Sequence, residues 1–377
     1  MAVSDQEIAV IGAGNSGLAM AAHLALSGHR VRLWNRSIRN IENLIHTRRI
    51  KCTGRIEGIA ELELVSVDLG EVIDGVNLIM VTTPANSHRD IAGFMAPYLT
   101  EEKTIILNPG RTFGVIEVEH VLSDKQVPVM PLVAETQTIV YTCRKTSEDS
   151  VVVLSLKDRV LIAAHTRCET ETVISRLPDC LRPYFTAAES MAFTSLGNVG
   201  AILHCAPVIF NTGWIENRKV DFKYYYDGIT PTVAAFLEKL DRERLQIALR
   251  LGVHIESAAE WMRRSYNIEG DNLYECIQNN ECYRTIDAPR SLNHRYIFED
   301  IPCGLVPLES LGRELGVGME SIPRVIDMAS ELLDYDFRGK GRTLDRLGLH
   351  GYMIERILKT DWGYEEAAKQ RDIFSIA

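Results

Sequence analysis

None of the eight cysteines (Cys52, Cys143, Cys168, Cys180, Cys205, Cys276, Cys282 and Cys303) stands in a C-x-x-C pair. In a chain of 377 residues this scatter argues against a disulfide framework and against a metal site, and it reads as reduced thiols in a cytoplasmic protein. Positive charge is also scarce: Lys and Arg number 41 against 51 Asp and Glu, a net charge of -10. Nucleic-acid binding needs a basic face, so no such partner is expected, although one local arginine suffices for a small anion. No apolar stretch reads as long enough to span a bilayer, and the opening MAVSDQEIAVIGAG has no basic, apolar leader. Neither a membrane nor an export signal is therefore expected.

What the chain does have is globular substance. Hydrophobic residues make up 46% and charged residues 24% of a length that suits two domains. Residues 7–12 (EIAVIG) form a short apolar run ending in glycine, the pattern of a buried parallel strand. Leu18, Ala21, Ala22, Leu24 and Ala25 then recur at helical spacing up to Gly28, and residues 30–35 read as a second strand. Further strands are expected at 77–83, 103–107, 127–134 and 138–143 and in the runs VVVLSLK and RVLIAAH. This alternation predicts an α/β, Rossmann-like, doubly wound parallel sheet in residues 1–186. Helical periods at about 190–213, 230–251, 253–265, 304–316 and 319–334 predict a mostly α-helical substrate domain in residues 187–377. A homodimer is the base-rate assembly.

The turn Gly12-Ala13-Gly14-Asn15-Ser16-Gly17 joins the first strand to the first helix. Gly12 permits the tight turn, Gly14 lets a pyrophosphate approach the backbone, and Gly17 lets helix and strand lie close. The pyrophosphate is then expected on the helix N-terminus near Asn15 and Ser16. At the end of the second strand, where an acidic residue would favour NAD(H), this chain has Asn35-Arg36-Ser37. Arg36 can pair with a 2′-phosphate and Ser37 can add a hydroxyl, so NADP(H) is the expected cofactor, with NAD(H) also possible. Thr82-Thr83-Pro84 and Asn108-Pro109-Gly110 end later strands, and Thr83 and Pro84 are expected to flank the nicotinamide half.

Two downstream segments stand out. One runs Gly197-Asn198-Val199-Gly200-Ala201-Ile202-Leu203-His204-Cys205-Ala206-Pro207, and the other is HRYIFEDIPCGLVP, from His294 to Pro307. Taken alone, His204 reads more readily as a satisfied buried histidine than as a catalyst, and Arg295 and Asp300 more readily as a surface pair. The chain as a whole, however, resembles the octopine/nopaline (opine) dehydrogenase family. The resemblance runs through GAGNSG, Ala134-Glu135-Thr136-Gln137-Thr138 with Tyr141, the helix bearing His204, and Tyr225-Tyr226-Asp227-Gly228-Ile229-Thr230-Pro231. It continues through HRYIFEDIPCGLVP and Gly341-Arg342-Thr343-Leu344-Asp345-Arg346-Leu347-Gly348-Leu349.

The resemblance implies a reductive condensation, in which an α-keto acid and the amino group of an amino acid form an imine that NAD(P)H reduces. It implies a His–Asp dyad at His204 and Asp300 and a keto-acid-binding arginine at Arg295. Many members carry an asparagine four residues before the histidine, where this chain has Gly200, and Asn198 is the nearby amide. Cys205 and Cys303, where proline and an aromatic are common, imply a reshaped pocket. Glu135, Tyr141, Tyr226 and Trp261 are further candidates for the amino-acid substrate, with packing as their other reading. Arg111 reads either as a carboxylate ligand or as a solvent-facing residue. The competing plan is a carbonyl reductase of the ketopantoate reductase or glycerol-3-phosphate dehydrogenase type, whose lysine has no counterpart in residues 190–212, leaving only Lys219 or Lys223 nearby. A non-catalytic NADP sensor is the third reading.

Overall fold

Residues 8–11 and 78–81 are apolar at every position, and strands with no polar face need a cover on both sides. The computed structural model describes residues 6–217 and 219–349. These fall into two compact units: residues up to 110 with 114–191, and residues 111–113 with 192 onward. The expected second domain extends to residue 377, and its last part, 350–377, lies outside the described residues.

Among the described residues the first unit has twelve strands: β1 (Glu7–Ile11), β2 (Arg30–Trp34), β3 (Arg49–Gly54), β4 (Gly58–Glu61), β5 (Leu64–Ser66), β6 (Leu78–Val81), β7 (Thr104–Leu107), β8 (Leu132–Thr136), β9 (Tyr141–Ser147), β10 (Ser150–Leu156), β11 (Val160–Ala163) and β12 (Phe185–Ala187). Eight form one sheet in the order β12-β11-β8-β7-β6-β1-β2-β5. Its pairings are parallel except between β8 and β11. The chain leaves β1 toward β2 on one side and later returns to β6 on the other. The crevice at the carboxyl ends of β1 and β6 is thus the switch point where such sheets take ligands. The Rossmann-like reading of this unit holds.

Several details differ from expectation. Residues 138–143 and VVVLSLK do not extend the parallel sheet; β9 and β10 join β3 and β4 in a separate four-stranded sheet, ordered β4-β3-β10-β9. β3, β4, β5 and β12 were not foreseen, and residues 127–131 are not strand. In β3 the buried Ile50 and Cys52 alternate with exposed Arg49 and Lys51, a half-solvated strand that offers no apolar run. The helix α1 (Asn15–Leu26) lies between the two sheets, which explains its composition. Ala19, Ala21 and Ala22 are small enough for close approach, while Leu18, Met20 and Leu24 fill the gaps. Each of the last three is worth about 1.5–3 kcal/mol in burial.

The second unit is α-helical. Its longer helices are Gly200–Phe210, Pro231–Arg250, Ala258–Tyr266, Val306–Glu314 and Ser321–Leu333. Residues 253–257, expected as helix, precede one instead: Ser257 caps Ala258–Tyr266 in a reciprocal box with Glu260. Pro231 opens the long helix behind the cap Thr230. Arg244 on that helix is fully buried, pairs with Asp241 and donates to the carbonyls of Leu196 and Glu256. The expectation that no stretch could span a bilayer needs correction: Met191–Phe210 has the length and apolarity to do so. It is apolar because it packs inside the protein: 83% of an 18-residue stretch within it is buried, the signature of a core helix.

Candidate active site

The glycine turn is shaped for a phosphate. Gly12 has φ +112°, a conformation that favours glycine, and its N–H donates to the Trp34 carbonyl. A Cβ on Gly17 would overlap the Gly12 carbonyl, so only glycine lets α1 start so close to β1. A Cβ on Gly14 would meet nothing within 4 Å, so that side of the turn is open. No side chain caps α1 and no acidic residue sits in its first turn, which leaves its first N–H groups and the positive end of its dipole for an anion. The Thr82 hydroxyl braces the turn from β6 through the Ile11 and Gly12 carbonyls (3.0 and 3.2 Å). The buried Thr83 hydroxyl next to it has no protein partner among the described residues. Pro84 follows, opening a short turn of helix, Ala85–Ser87. These features fit a dinucleotide.

Other predicted side chains serve the turn from within. Asn15 Oδ1 accepts the Lys145 N–H at 2.8 Å, and Ser16 lies beside the Cys143 thiol, so both face β9. Asn35 Oδ1 accepts the Ala13 N–H while its amide donates to the Ser37 carbonyl, fixing the loop after β2. Arg36 is exposed, 3.8 Å from Asp90. Lys145, missed in the sequence, donates to the Ala13 and Asn40 carbonyls (3.2 and 3.3 Å) and spans the turn and that loop. It escaped notice because the small sheet carries it there.

Glu135 and Tyr141 are not presented as substrate ligands. Glu135 is fully buried and accepts the Val115 N–H, near the start of the helix Gly114–Asp124. Tyr141 lies in the core against α1, its hydroxyl 3.1 Å from His23 Nδ1. Burial, with His29 nearby, lowers that histidine to about 4, so it is neutral.

In the second unit, His204 lies mid-helix in Gly200–Phe210, and Asp300 precedes a π-helical turn, Ile301–Leu305. Such turns recur at functional sites. Gly304 lets this turn approach Ala201, since a Cβ there would lie 2.6 Å from the alanine methyl. His204 Nδ1 is consequently 2.8 Å from Asp300 Oδ2, with the carboxylate wholly buried. Pro207 lacks the N–H that would take the Leu203 carbonyl. The Tyr224 hydroxyl takes over, donating to the carbonyls of Leu203 (3.3 Å) and His204 (2.6 Å). The Tyr296 ring stacks on the imidazole at 4.0 Å and 15°. Burial pushes the His204 pKa below the usual histidine value, against the pull of Asp300.

A line of alternating charges extends from the dyad. Arg111 NH2 lies 3.4 Å from Asp300 Oδ1, and Arg111 Nε donates to Glu299 Oε1 at 3.1 Å. Glu299 Oε2 accepts from Arg295 Nε at 2.9 Å. Glu299 is 1% exposed, whereas Arg295 is 45% exposed, so its guanidinium can meet an incoming anion. Burial opposes the Arg111 charge, yet Asp300 and Glu299 outweigh it and hold the guanidinium protonated. Of the two readings of Arg111, the solvent-facing one fails: it is a buried anchor, and the carboxylates it holds belong to Glu299 and Asp300. Asn198 Oδ1 accepts from its NH1 at 3.2 Å, and a Cβ on Gly200 would overlap that same nitrogen. The glycine and the displaced amide therefore go together. Tyr226 donates to the Gln278 carbonyl and Trp261 packs edge-on to Tyr266, so both hold the surrounding loops.

Comparison with known proteins adds a separate line. Residues 187–333 match the family model described as NAD/NADP octopine/nopaline dehydrogenase, alpha-helical domain, and residues 7–118 match the N-terminus of NAD-dependent glycerol-3-phosphate dehydrogenase. The opine dehydrogenase of Arthrobacter sp. (strain 1C) is 36% identical over 93% of this chain and 97% of its own. The protein ocs of Agrobacterium tumefaciens (strain Ach5) is 26% identical over 94% and 98%. Among solved structures, octopine dehydrogenase in complex with NADH and agmatine superimposes with a TM-score of 0.75 at 20% identity, covering 95% of this chain and 99% of that one. Yersinopine dehydrogenase with NADP+ bound gives 0.69 at 15% identity, covering 98% of each.

Proposed function

The chain belongs to the opine dehydrogenase family, and from that premise we propose that it condenses an α-keto acid with the amino group of an amino acid and reduces the product with a nicotinamide dinucleotide. The observation that carries this reading is the buried His204–Asp300 pair at 2.8 Å, with Arg295 five residues before the aspartate. The dinucleotide, held at Gly12, Gly14 and Gly17 with Thr83 and Pro84 beside it, supplies hydride when bound. Everything else falls to side chains of this protein.

Asp300 accepts the Nδ1–H of His204, fixes its tautomer and stabilises the imidazolium that forms on proton uptake. The low-lying pKa keeps the resting ring neutral, ready to act as a base. His204 takes one proton from the substrate ammonium and returns it to the hydroxyl that leaves as water. A second ammonium proton moves to the carbonyl oxygen in between, so imine formation is balanced. Arg295, steadied at Nε by Glu299, binds the keto-acid carboxylate through its terminal nitrogens. Holding the carboxylate limits the carbonyl carbon to one approach. Arg36 and Ser37 favour NADP(H) over NAD(H), since no acidic residue follows β2. A simple carbonyl reductase is disfavoured because residues 190–212 contain no lysine.

The test is cofactor absorbance with a keto acid and a panel of amino acids. Oxidation that requires both substrates is expected; oxidation with the keto acid alone would make the protein a reductase, and none at all a sensor. His204→Gln should lose turnover by about 10²–10⁴-fold while retaining dinucleotide affinity. Arg295→Ala should chiefly raise the keto-acid KM.

A further inference from the structure

His204 has only two ring nitrogens. Asp300 holds Nδ1, so Nε2 is the atom that must exchange protons with substrate. That nitrogen is already engaged: the Tyr225 hydroxyl lies 3.0 Å from it. A neutral His204 that donates from Nδ1 can only accept at Nε2, so the Tyr225 hydroxyl is the donor in the resting state.

The position of Tyr225 is strongly constrained. Its ring stacks on Tyr283 at 4.0 Å and 19°, and meets Tyr224 edge-on at 4.9 Å. Tyr224 is in turn tied by its hydroxyl to the His204 carbonyl, so tyrosine and histidine share one frame. The loop that carries the pair is closed on itself. Lys223 N–H donates to the Asp227 carboxylate at 2.6 Å, and the N–H groups of Asp227 and Gly228 return to the Lys223 carbonyl. Asn211, one turn beyond Pro207, donates to the Gly228 carbonyl at 2.9 Å and fastens the loop to the histidine helix. Tyr225 is 4% exposed. Swinging it aside to uncover Nε2 would break a stacked pair and open a buried void.

We propose that Tyr225 is a catalytic residue, the terminal proton carrier of the site, so that His204 reaches the substrate through the Tyr225 hydroxyl. The proposal rests on the reading of His204 as the acid/base. In the accepting direction, the Tyr225 oxygen takes a proton from the substrate ammonium as its own O–H proton passes to His204 Nε2, giving an amine and an imidazolium. In the donating direction, the imidazolium N–H bond breaks and a Tyr225 O–H bond forms. The proton previously on Tyr225 bonds to the departing hydroxyl, which leaves as water. Tyrosine and histidine finish as they began, and neither is oxidised or reduced. The tyrosine never has to persist as a phenolate, because one proton arrives as the other leaves.

The experiment compares Tyr225→Phe with His204→Gln in full-length protein, with dinucleotide affinity and far-UV circular dichroism measured alongside turnover. The phenylalanine variant keeps both ring contacts and loses only the hydroxyl. Its kcat is expected to fall by about 10²–10⁴-fold, the usual worth of a general acid or base, with the keto-acid KM within about twofold of the parent. Parental turnover in Tyr225→Phe, with turnover lost in His204→Gln, would overturn the relay and leave the dyad standing. Parental turnover in both would sink the dyad reading itself. A hydroxyl that merely steadied the imidazole would also lower kcat when removed, so 3-fluorotyrosine is incorporated at position 225 as a second measurement. The fluorine makes the phenol more acidic. A relay then shifts the pH dependence of kcat to lower pH, whereas an unshifted profile overturns the proposal. This second variant also decides the matter if Tyr225→Phe fails to fold.

Discussion

Replacing Arg111 by methionine is the sharpest test of the charge line. The side chain is 8% exposed, and its two carboxylate partners, Glu299 and Asp300, are 1% and 0% exposed. Methionine fills much of the same volume, so the change removes charge and hydrogen bonds more than packing. Breaking a buried ion pair by deleting one partner costs about 3–5 kcal/mol, because the remaining charge is left without compensation. For a unit of this size, 1 kcal/mol corresponds to about 2–4 °C, so the melting temperature should fall by about 6–20 °C. The loss is tempered because Glu299 keeps Arg295 and Asp300 keeps His204. Thermal unfolding followed by circular dichroism reads the difference. Combining Arg111→Met with Glu299→Gln should recover part of it, since the second change removes one uncompensated charge. A single variant within about 2 °C of the parent, or a double variant less stable by the full sum of both singles, would refute the argument.

Two further outcomes follow from the same structure. Gly200→Ala places a methyl where Arg111 NH1 sits, and the guanidinium is pinned by three partners, so overpacking should cost about 1–3 kcal/mol in urea unfolding. A neutral result would mean that Arg111 is free to move. Arg36→Ala should weaken NADPH binding by about tenfold and leave NADH nearly unchanged, which titration by cofactor fluorescence measures. Equal losses for both dinucleotides would remove Arg36 as the 2′-phosphate ligand.

The amino-acid sequence by itself determined the features that depend on local chemistry. The apolar run of β1, the spacing of Gly12, Gly14 and Gly17 and the small residues of α1 dictate a phosphate-ready turn, which Thr82 and Lys145 then brace from elsewhere in the chain. The helical texture beyond residue 190 was legible for the same reason, since period and composition are local quantities. His204, Arg295 and Asp300 were legible as a set through the family resemblance alone. Only the tertiary structure decided the rest. Arg111 and Glu299 are 188 positions apart, and neither neighbourhood signals a buried pair. The same holds for Lys145 on the glycine turn and for Tyr225 on His204, which contacts across 132 and 21 positions bring together. A buried charge or hydroxyl takes its meaning from the partner that satisfies it, and folding, not sequence order, supplies that partner.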